Sequence, residues 1–239
     1  MSDSDEKRNL VAIVTAAGRG IGAACARELS ARRYRLGLMS PSGSAEKLAG
    51  ELGAVGLTGS VTEPEDLAAL VERTVEAYGR IDAAVVNTGH PPKGELLEID
   101  DEAWRGGFNL CFLHFVRLAR LIVPRMQETG GGSIVAISTF GAVEPSAAFP
   151  VSSTIRAALA AYVKLLADRC AADAIRVNAV LPGFVDTFPV DPDRLELIPM
   201  RRYARVEEVA RTVAFLLSDD AGYITGQSIR IDGGATRSL

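Results

Sequence analysis

The sequence predicts an α/β fold: a doubly wound, mostly parallel sheet with helices on both faces. Three observations predict it. Short, solidly apolar runs alternate with helix-period segments along the whole chain. The first apolar run is followed at once by glycines, and no linker, composition shift or internal repeat interrupts the alternation. With 239 residues, 48% of them hydrophobic, there is apolar material for one sizeable core. Residues 10–239 are therefore read as a single domain behind a flexible tail at 1–9.

Taken in order, LVAIVT (Leu10–Thr15) is the first strand and Ile21–Arg32 the first helix. Tyr34–Met39 is a strand, Ala45–Leu52 a helix, Ala54–Leu57 a short strand and Glu65–Tyr78 an amphipathic helix. Pro64 just before that last helix suits a first-turn position, where a missing N–H costs nothing. Ile81–Asn87 is the next strand. Asp101–Gln127 reads as one long helix carrying Trp104, Phe108, Phe112 and Phe115 at spacings of three and four, with Pro124 as its kink or regular end. Ser133–Ser138 is a strand, Ser152–Asp168 a long helix and Ile175–Val180 a strand. The stretch from Pro182 to about Arg202 holds four prolines and little period, so a lid is expected at about 183–205. Val206–Leu217 is helix and Ser228–Ile231 the last strand.

Composition excludes several classes of function. Lys plus Arg is 26 and Asp plus Glu is 30, a net charge of −4, which gives no general field for nucleic acid. Cys25, Cys111 and Cys170 are odd in number and scattered, which is neither a disulfide framework nor a metal knuckle. His90 and His114 are the only histidines and lack metal-ligand spacing, so no metal is expected. The start, MSDSDEKRN, is acidic and polar, unlike an export signal, and no uncharged run approaches the roughly 20 residues that cross a bilayer. The expectation is a cytoplasmic protein acting on a small-molecule substrate, with neither nucleic acid nor membrane as partner.

The segment VAIVTAAGRGIGAACARELS places Gly18, Gly20 and Gly22 between the first strand and first helix. Glycines there let the backbone turn tightly against a pyrophosphate, whose charge the helix N-terminus favours. Use of the same glycines only for close strand–helix packing is the alternative.

At this point the chain resembles the classical short-chain dehydrogenase/reductase family over roughly residues 10–234. Thr15 to Gly22 resembles the family's TGxxxGIG turn, and Val86-Asn87-Thr88-Gly89 its NNAG after the fourth strand. Asn109 matches an Asn of the long fourth helix, Pro182-Gly183 the PG after the sixth strand, and ITGQSIRIDGG the closing stretch. Departures are Ala16 for the family's first Gly, Thr88 within NNAG, and Ser60 for the Asp after the third strand. The resemblance implies a Rossmann-type fold and a dinucleotide held by Thr15, Ala17, Gly18, Arg19, Gly20, Ile21, Gly22, Ser40, Ser60, Val61, Asn87, Thr88, Gly89, Arg156, Pro182 and Gly183. Ser40 and Pro41 stand where NAD sites usually carry an acid, and Arg19 could pair with a 2′-phosphate. NADP is therefore preferred and NAD possible. The resemblance also implies a homo-oligomer, a tetramer or a dimer, joined through the two long helices.

The family's chemistry uses a Ser, a Tyr thirteen residues on and a Lys four further. In IVAISTFGA the register places Thr139 at the Ser position, and the other two are Ser152 and Arg156. Thr keeps the hydroxyl, but Ser in place of Tyr removes a phenol of pKa near 10 and opens space. Arg keeps the charge yet cannot relay a proton. Asn109 could hold a water of the relay or bond its own helix, and Ser152 could equally be an N-cap. His90 is a candidate for substrate contact or proton donation. Tyr203, Glu144 and Asp186 are weaker pocket candidates. Tyr162, about 15 Å up the helix from Ser152, and Lys164 are too distant to stand in. His114 reads as a packing or interface residue. The leading expectation is an NAD(P)-dependent oxidoreductase acting on a small carbonyl or alcohol through a non-standard active site. The alternatives are a nucleotide- or small-molecule-binding relative without redox turnover, or a non-redox lyase or isomerase with Arg156 anchoring an anion.

Overall fold

A computed structural model describes residues 10–187 and 189–238; the expected tail at 1–9 lies outside them. Seven strands form one sheet: β1 (Val11–Val14), β2 (Arg35–Ser40), β3 (Val55–Thr58), β4 (Ala83–Val86), β5 (Gly132–Ile137), β6 (Ile175–Pro182) and β7 (Ser228–Ile231). Their spatial order is β3-β2-β1-β4-β5-β6-β7, and every pairing is parallel. The strands read as unbroken apolar runs because helices cover both faces, so neither face needs polar residues.

Alternate residues of each strand feed two cores. Ile13, Ala84 and Ile134 point to one face, beneath α3 (Pro64–Tyr78), α5 (His114–Glu128) and α6 (Pro150–Cys170). Ala12, Val14, Val85 and Val135 point to the other, beneath α1 (Gly20–Ala31), α2 (Ser44–Leu52) and α8 (Val206–Leu217). The remaining helices are α4 (Asp101–Phe108), which leads into α5, and α7 (Pro192–Glu196), which lies within the stretch expected as a lid. That stretch is pinned at its base by a bridge between Val185 and Ala204, and Asp186 caps α8 by accepting from the Val206 N–H.

Three local expectations need correction. The long helix is not regular throughout: Asn109–Leu113 forms a wide π turn between α4 and α5. Gly106 and Gly107 precede it, and the Asn109 side chain bonds outside its own turn, both of which weaken the regular ladder there. Pro124 does not end α5, which runs on to Glu128; the residue whose carbonyl loses its partner, Arg120, is exposed. The last long helix starts at Pro150, with Phe149 as its N-cap. Ser152 is thus the third helical residue and no cap, because Pro at the first position already starts the helix with its φ preset. The Asp101–Glu128 segment is long and apolar enough by length and composition to cross a membrane. Here Phe115, Leu118, Ile122 and Met126 of its length lie in the core, each at most 1% exposed.

Candidate functional site

The strand order reverses between β1 and β4, and the loops after β1, β4, β5 and β6 leave the same sheet edge. Such a reversal opens a crevice at the C-terminal ends of the strands. Thr15 clamps its two sides together: its hydroxyl donates to the Asn87 carbonyl at 2.7 Å and accepts from the Asn87 N–H at 2.9 Å. The Asn87 amide donates across to the Ala16 carbonyl at 3.4 Å.

The glycine turn has no room for side chains. A Cβ on Gly22 would lie 2.2 Å from the Ala16 oxygen, and one on Gly18 2.0 Å from Ser44 Oγ. Gly20 has φ +55°, which glycine adopts without strain. Ala17 is fully buried and donates its N–H to Met39, while Arg19 is exposed at the N-cap of α1 and Ile21 packs inward beside it. The bare start of α1 therefore faces the crevice with unpaired-in-helix N–H groups, a cradle for a phosphate.

Around this cradle, Ser40 is 4% exposed and its hydroxyl is committed locally, donating to Ser42 O and accepting from Ala45 N–H. It organises the turn Ser40–Ser44, which carries no acidic residue. Ser60 likewise braces its loop through Asp66 and Thr62, with Val61 buried next to it. Gly89 borders open space. Gly183 is required by the close passage of Asp232, whose Cα would sit 2.8 Å from a Cβ, and it follows Pro182 at the end of β6. Two hydroxyls at this edge, Thr88 Oγ1 and Ser138 Oγ, are buried without a hydrogen-bond partner. Buried polar atoms are seldom left so, and their place at the β4 and β5 ends fits a polar ligand such as a dinucleotide.

The other end of the crevice is built by β5 and α6. Thr139 is half-buried and its hydroxyl accepts only a long 3.4 Å bond from Gly141 N–H. Ser152 is half-buried on the first turn of α6, and Arg156 follows one turn later on the same side. Arg156 is 6% exposed and donates from Nη1 to the Ile137 carbonyl at 2.6 Å. The start of α6 is fixed by a small cluster of Cys111, Val151 and Ile155 against Trp104 and Ile99, where Gly107 permits the close approach.

The Arg156 charge is felt by its neighbours. His114 is 2% exposed with neither ring nitrogen hydrogen-bonded, and burial, aided by Arg156, pushes its pKa down to about 3. Burial raises the Cys111 thiol although Arg156 pulls the other way. At the rim, partial burial and the charges of Arg156, Lys93 and Arg19 lower the His90 pKa, so its ring is neutral near pH 7. Cys111 and His114 were not read as site residues; the π turn that brings them beside Arg156 has no distinct signal in a helical pattern.

Several candidates have other duties. The Asn109 Oδ1 accepts from Arg117 at 2.5 Å and its Nδ2 donates to Thr62 O at 3.5 Å, so its amide braces the loop after β3. Tyr203 is 6% exposed and stacks on Phe184, which meets Phe140; its hydroxyl accepts from Asp191 N–H. Glu144 holds the C-terminal tail through the N–H groups of Arg237 and Ser238. Tyr162 packs edge-on against Phe112 and Phe115, and Lys164 pairs with Asp168.

Known proteins resemble this chain in sequence and fold. The family model described as enoyl-(acyl carrier protein) reductase matches residues 15–236. Dehydrogenase/reductase SDR family member 4 of Oryctolagus cuniculus is 32% identical, over 98% of this chain and 96% of its own length. Cis-4-hydroxycyclohexanecarboxylate dehydrogenase of Sinomonas cyclohexanicum is 35% identical, over 95% and 96%. The crystal structure of L-sorbose reductase from Gluconobacter frateurii, complexed with NADPH and L-sorbose, superposes with a TM-score of 0.89 at 29% identity, covering 98% of each chain. With the glycine cradle, the sheet order and a match over nearly its whole length, this chain belongs to the short-chain dehydrogenase/reductase family of oxidoreductases.

Proposed function

We propose that the chain is an NADP(H)-preferring oxidoreductase that interconverts a small carbonyl compound and its alcohol through a non-standard active site. The observation that carries this reading is the intact cradle: Gly18, Gly20 and Gly22 leave backbone N–H groups open beside an acid-free turn at Ser40–Ser44. An acid there would repel a 2′-phosphate, and Arg19 stands exposed close by to meet one. By their names, one relative above is a dehydrogenase of cis-4-hydroxycyclohexanecarboxylate and the solved neighbour is a reductase of L-sorbose, complexed with NADPH.

When bound, the nicotinamide supplies or accepts the hydride. Gly18 to Gly22 would hold the pyrophosphate end, and the unpartnered Thr88 and Ser138 hydroxyls would offer polar atoms at the β4 and β5 ends. In this reading Ser152 and Arg156 stand where relatives carry Tyr and Lys, so no phenol donates the proton. The Thr139 and Ser152 hydroxyls orient the substrate oxygen, and the fixed positive charge of Arg156 stabilises negative charge developing on it. The guanidinium holds its protons, so proton exchange runs through water at the rim or through His90. Neutral near pH 7, His90 is set to accept a proton during alcohol oxidation rather than to donate one. The stretch 183–205 serves as the lid. Phe108 of α4 and Leu165 of α6, 40% and 67% exposed, support pairing of copies into a dimer or tetramer. Three buried free cysteines suit a reducing cytoplasm.

A second reading, nucleotide binding without turnover, is favoured by two observations: Arg156 is tied to Ile137 O, and no phenol takes the place of Ser152. Titrating the protein with NADPH and NADH, then following cofactor consumption with a panel of ketones, aldehydes and alcohols, separates the two. We expect tighter NADPH binding, with turnover. Saturable binding without consumption over the whole panel would establish the second reading, and absence of binding would overturn both.

A further inference from the structure

Among the described residues, the buried charge of Arg156 meets no counter-ion. It donates to the neutral Ile137 carbonyl, and no carboxylate among those residues forms an ion pair with it. Its other near neighbours, Cys111 and His114, are held neutral by burial. A guanidinium at 6% exposure is costly unless an anion meets it, because it has left water without a compensating charge. Nucleotide ribose hydroxyls are neutral and do not supply that charge. The pyrophosphate cradle follows β1, and β4 lies between β1 and β5, so it is two strand spacings, roughly 10 Å, from the β5 end where Arg156 sits.

The surroundings favour a small anion. Ser152, half-buried and one turn before Arg156, fills less of that face of α6 than a phenol would, and the Thr139 hydroxyl is held only by a long bond. At the opening, Arg19, Lys93 and Arg156 come from three different elements and all act on His90. Lys93 also lines a hollow with Glu95, Glu98 and Asp100, so its charge is shared and Arg156 is the anchor.

Resting on the oxidoreductase reading, we propose that Arg156 receives the carboxylate of the substrate, so that the compound bound is a small oxo acid or hydroxy acid rather than a neutral ketone or alcohol. One edge of the guanidinium suffices for a carboxylate, whose two oxygens match two adjacent N–H donors.

The test is equilibrium binding, independent of turnover. Trp104 packs against Val151 and Ile155 at the start of α6 and reports on the site by fluorescence. The full-length protein is titrated with a series of short 2-oxo and 3-oxo acids and with their methyl esters, without nucleotide and with saturating NADPH. We expect the best acid to bind about tenfold or more tightly than its ester, the preference to vanish in Arg156→Gln, and Arg156→Lys to keep part of it. Circular dichroism confirms that the variants are folded. If Arg156→Gln does not fold, loss of the acid preference in wild type on adding chloride, against an unchanged ester affinity, serves instead. Equal affinity for acid and ester, an acid preference that survives Arg156→Gln, or no acid binding at millimolar concentration would overturn the proposal. Failure to bind NADPH would instead overturn the functional reading, and the acid preference of the free protein would still be measurable.

Discussion

Ala16 holds a backbone shape that its side chain disfavours. Its φ of +46° lies in the left-handed region, where a Cβ crowds the following carbonyl. Ala16→Gly should therefore stabilise the fold by about 1 kcal/mol, less than the full relief because glycine also loosens the unfolded chain. Thermal unfolding at fixed protein concentration checks this, with a rise of roughly 2–4 °C expected for a chain of this size; a fall would show that the methyl has a packing role. His114 gives a pH signature. Its folded pKa of about 3 lies below the unfolded value of 6.5, so the unfolded chain binds a proton that the folded chain excludes. The stability this represents is present in full above pH 6.5 and is lost as pH falls toward 3, at up to about 1.4 kcal/mol per pH unit. His114→Leu should flatten that loss between pH 6.5 and the carboxylate range, as read by denaturant unfolding at several pH values. His90, shifted in the same direction, leaves a residual slope. An unchanged slope would mean that His114 becomes protonated in the folded state.

At this scale the sequence was legible where chemistry sits in local spacing. Gly18, Gly20 and Gly22 lie in the turn from β1 into the start of α1, and Asn87 and Gly183 directly follow β4 and β6, so each falls at the C-terminal edge of the sheet. The duties of Asn109, Tyr203 and Glu144 were not legible. Their partners, Arg117 and Thr62, Phe184 and Asp191, and Arg237 and Ser238, reach them through loop paths that no periodicity encodes.

At the scale of elements, the π turn at Asn109–Leu113 and the first turns of α6 act as one unit. Gly107 lets α4 and α6 approach: a Cβ there would lie 2.4 Å from Val151 Cγ1 and 3.2 Å from Ile155 Cδ1. Gly107→Ala should push α6 outward, destabilise the protein by about 1–3 kcal/mol, and weaken substrate binding more than nucleotide binding. Calorimetric melting together with separate titrations of nucleotide and substrate would check it. Equal losses for both ligands would mean that α6 is not selectively displaced. The strands and most helices were readable within a few residues, because apolar runs of four to eight residues alternate with helix-period stretches. The π turn was not, since Trp104, Phe108, Phe112 and Phe115 keep helical spacing across it. The start of α6 was misplaced by two residues because Pro150 reads as a breaker as easily as a first helical residue.

For the whole molecule, the order β3-β2-β1-β4-β5-β6-β7 places the cradle, the Asn87–His90 loop, Thr139 and Pro182–Gly183 on one edge. The parallel sheet and its two covered faces follow from the apolar strands, and the position of the crevice from the reversal between β1 and β4. The identity of the substrate has no such local code, because it depends on side chains that only the fold brings together. Arg156 is the clearest case: its charge is plain in the sequence, whereas its lack of a counter-ion among the described residues is visible only in the fold.

The central claim is that this scaffold transfers hydride without the usual phenol. The most direct measurement supplies NADPH deuterated at the transferring position of the nicotinamide, together with small oxo acids and neutral carbonyls, and reads the product by mass spectrometry. The account predicts an alcohol carrying the deuterium in amount equal to the NADPH consumed. Unlabelled product, or bound NADPH that is never consumed, would contradict it.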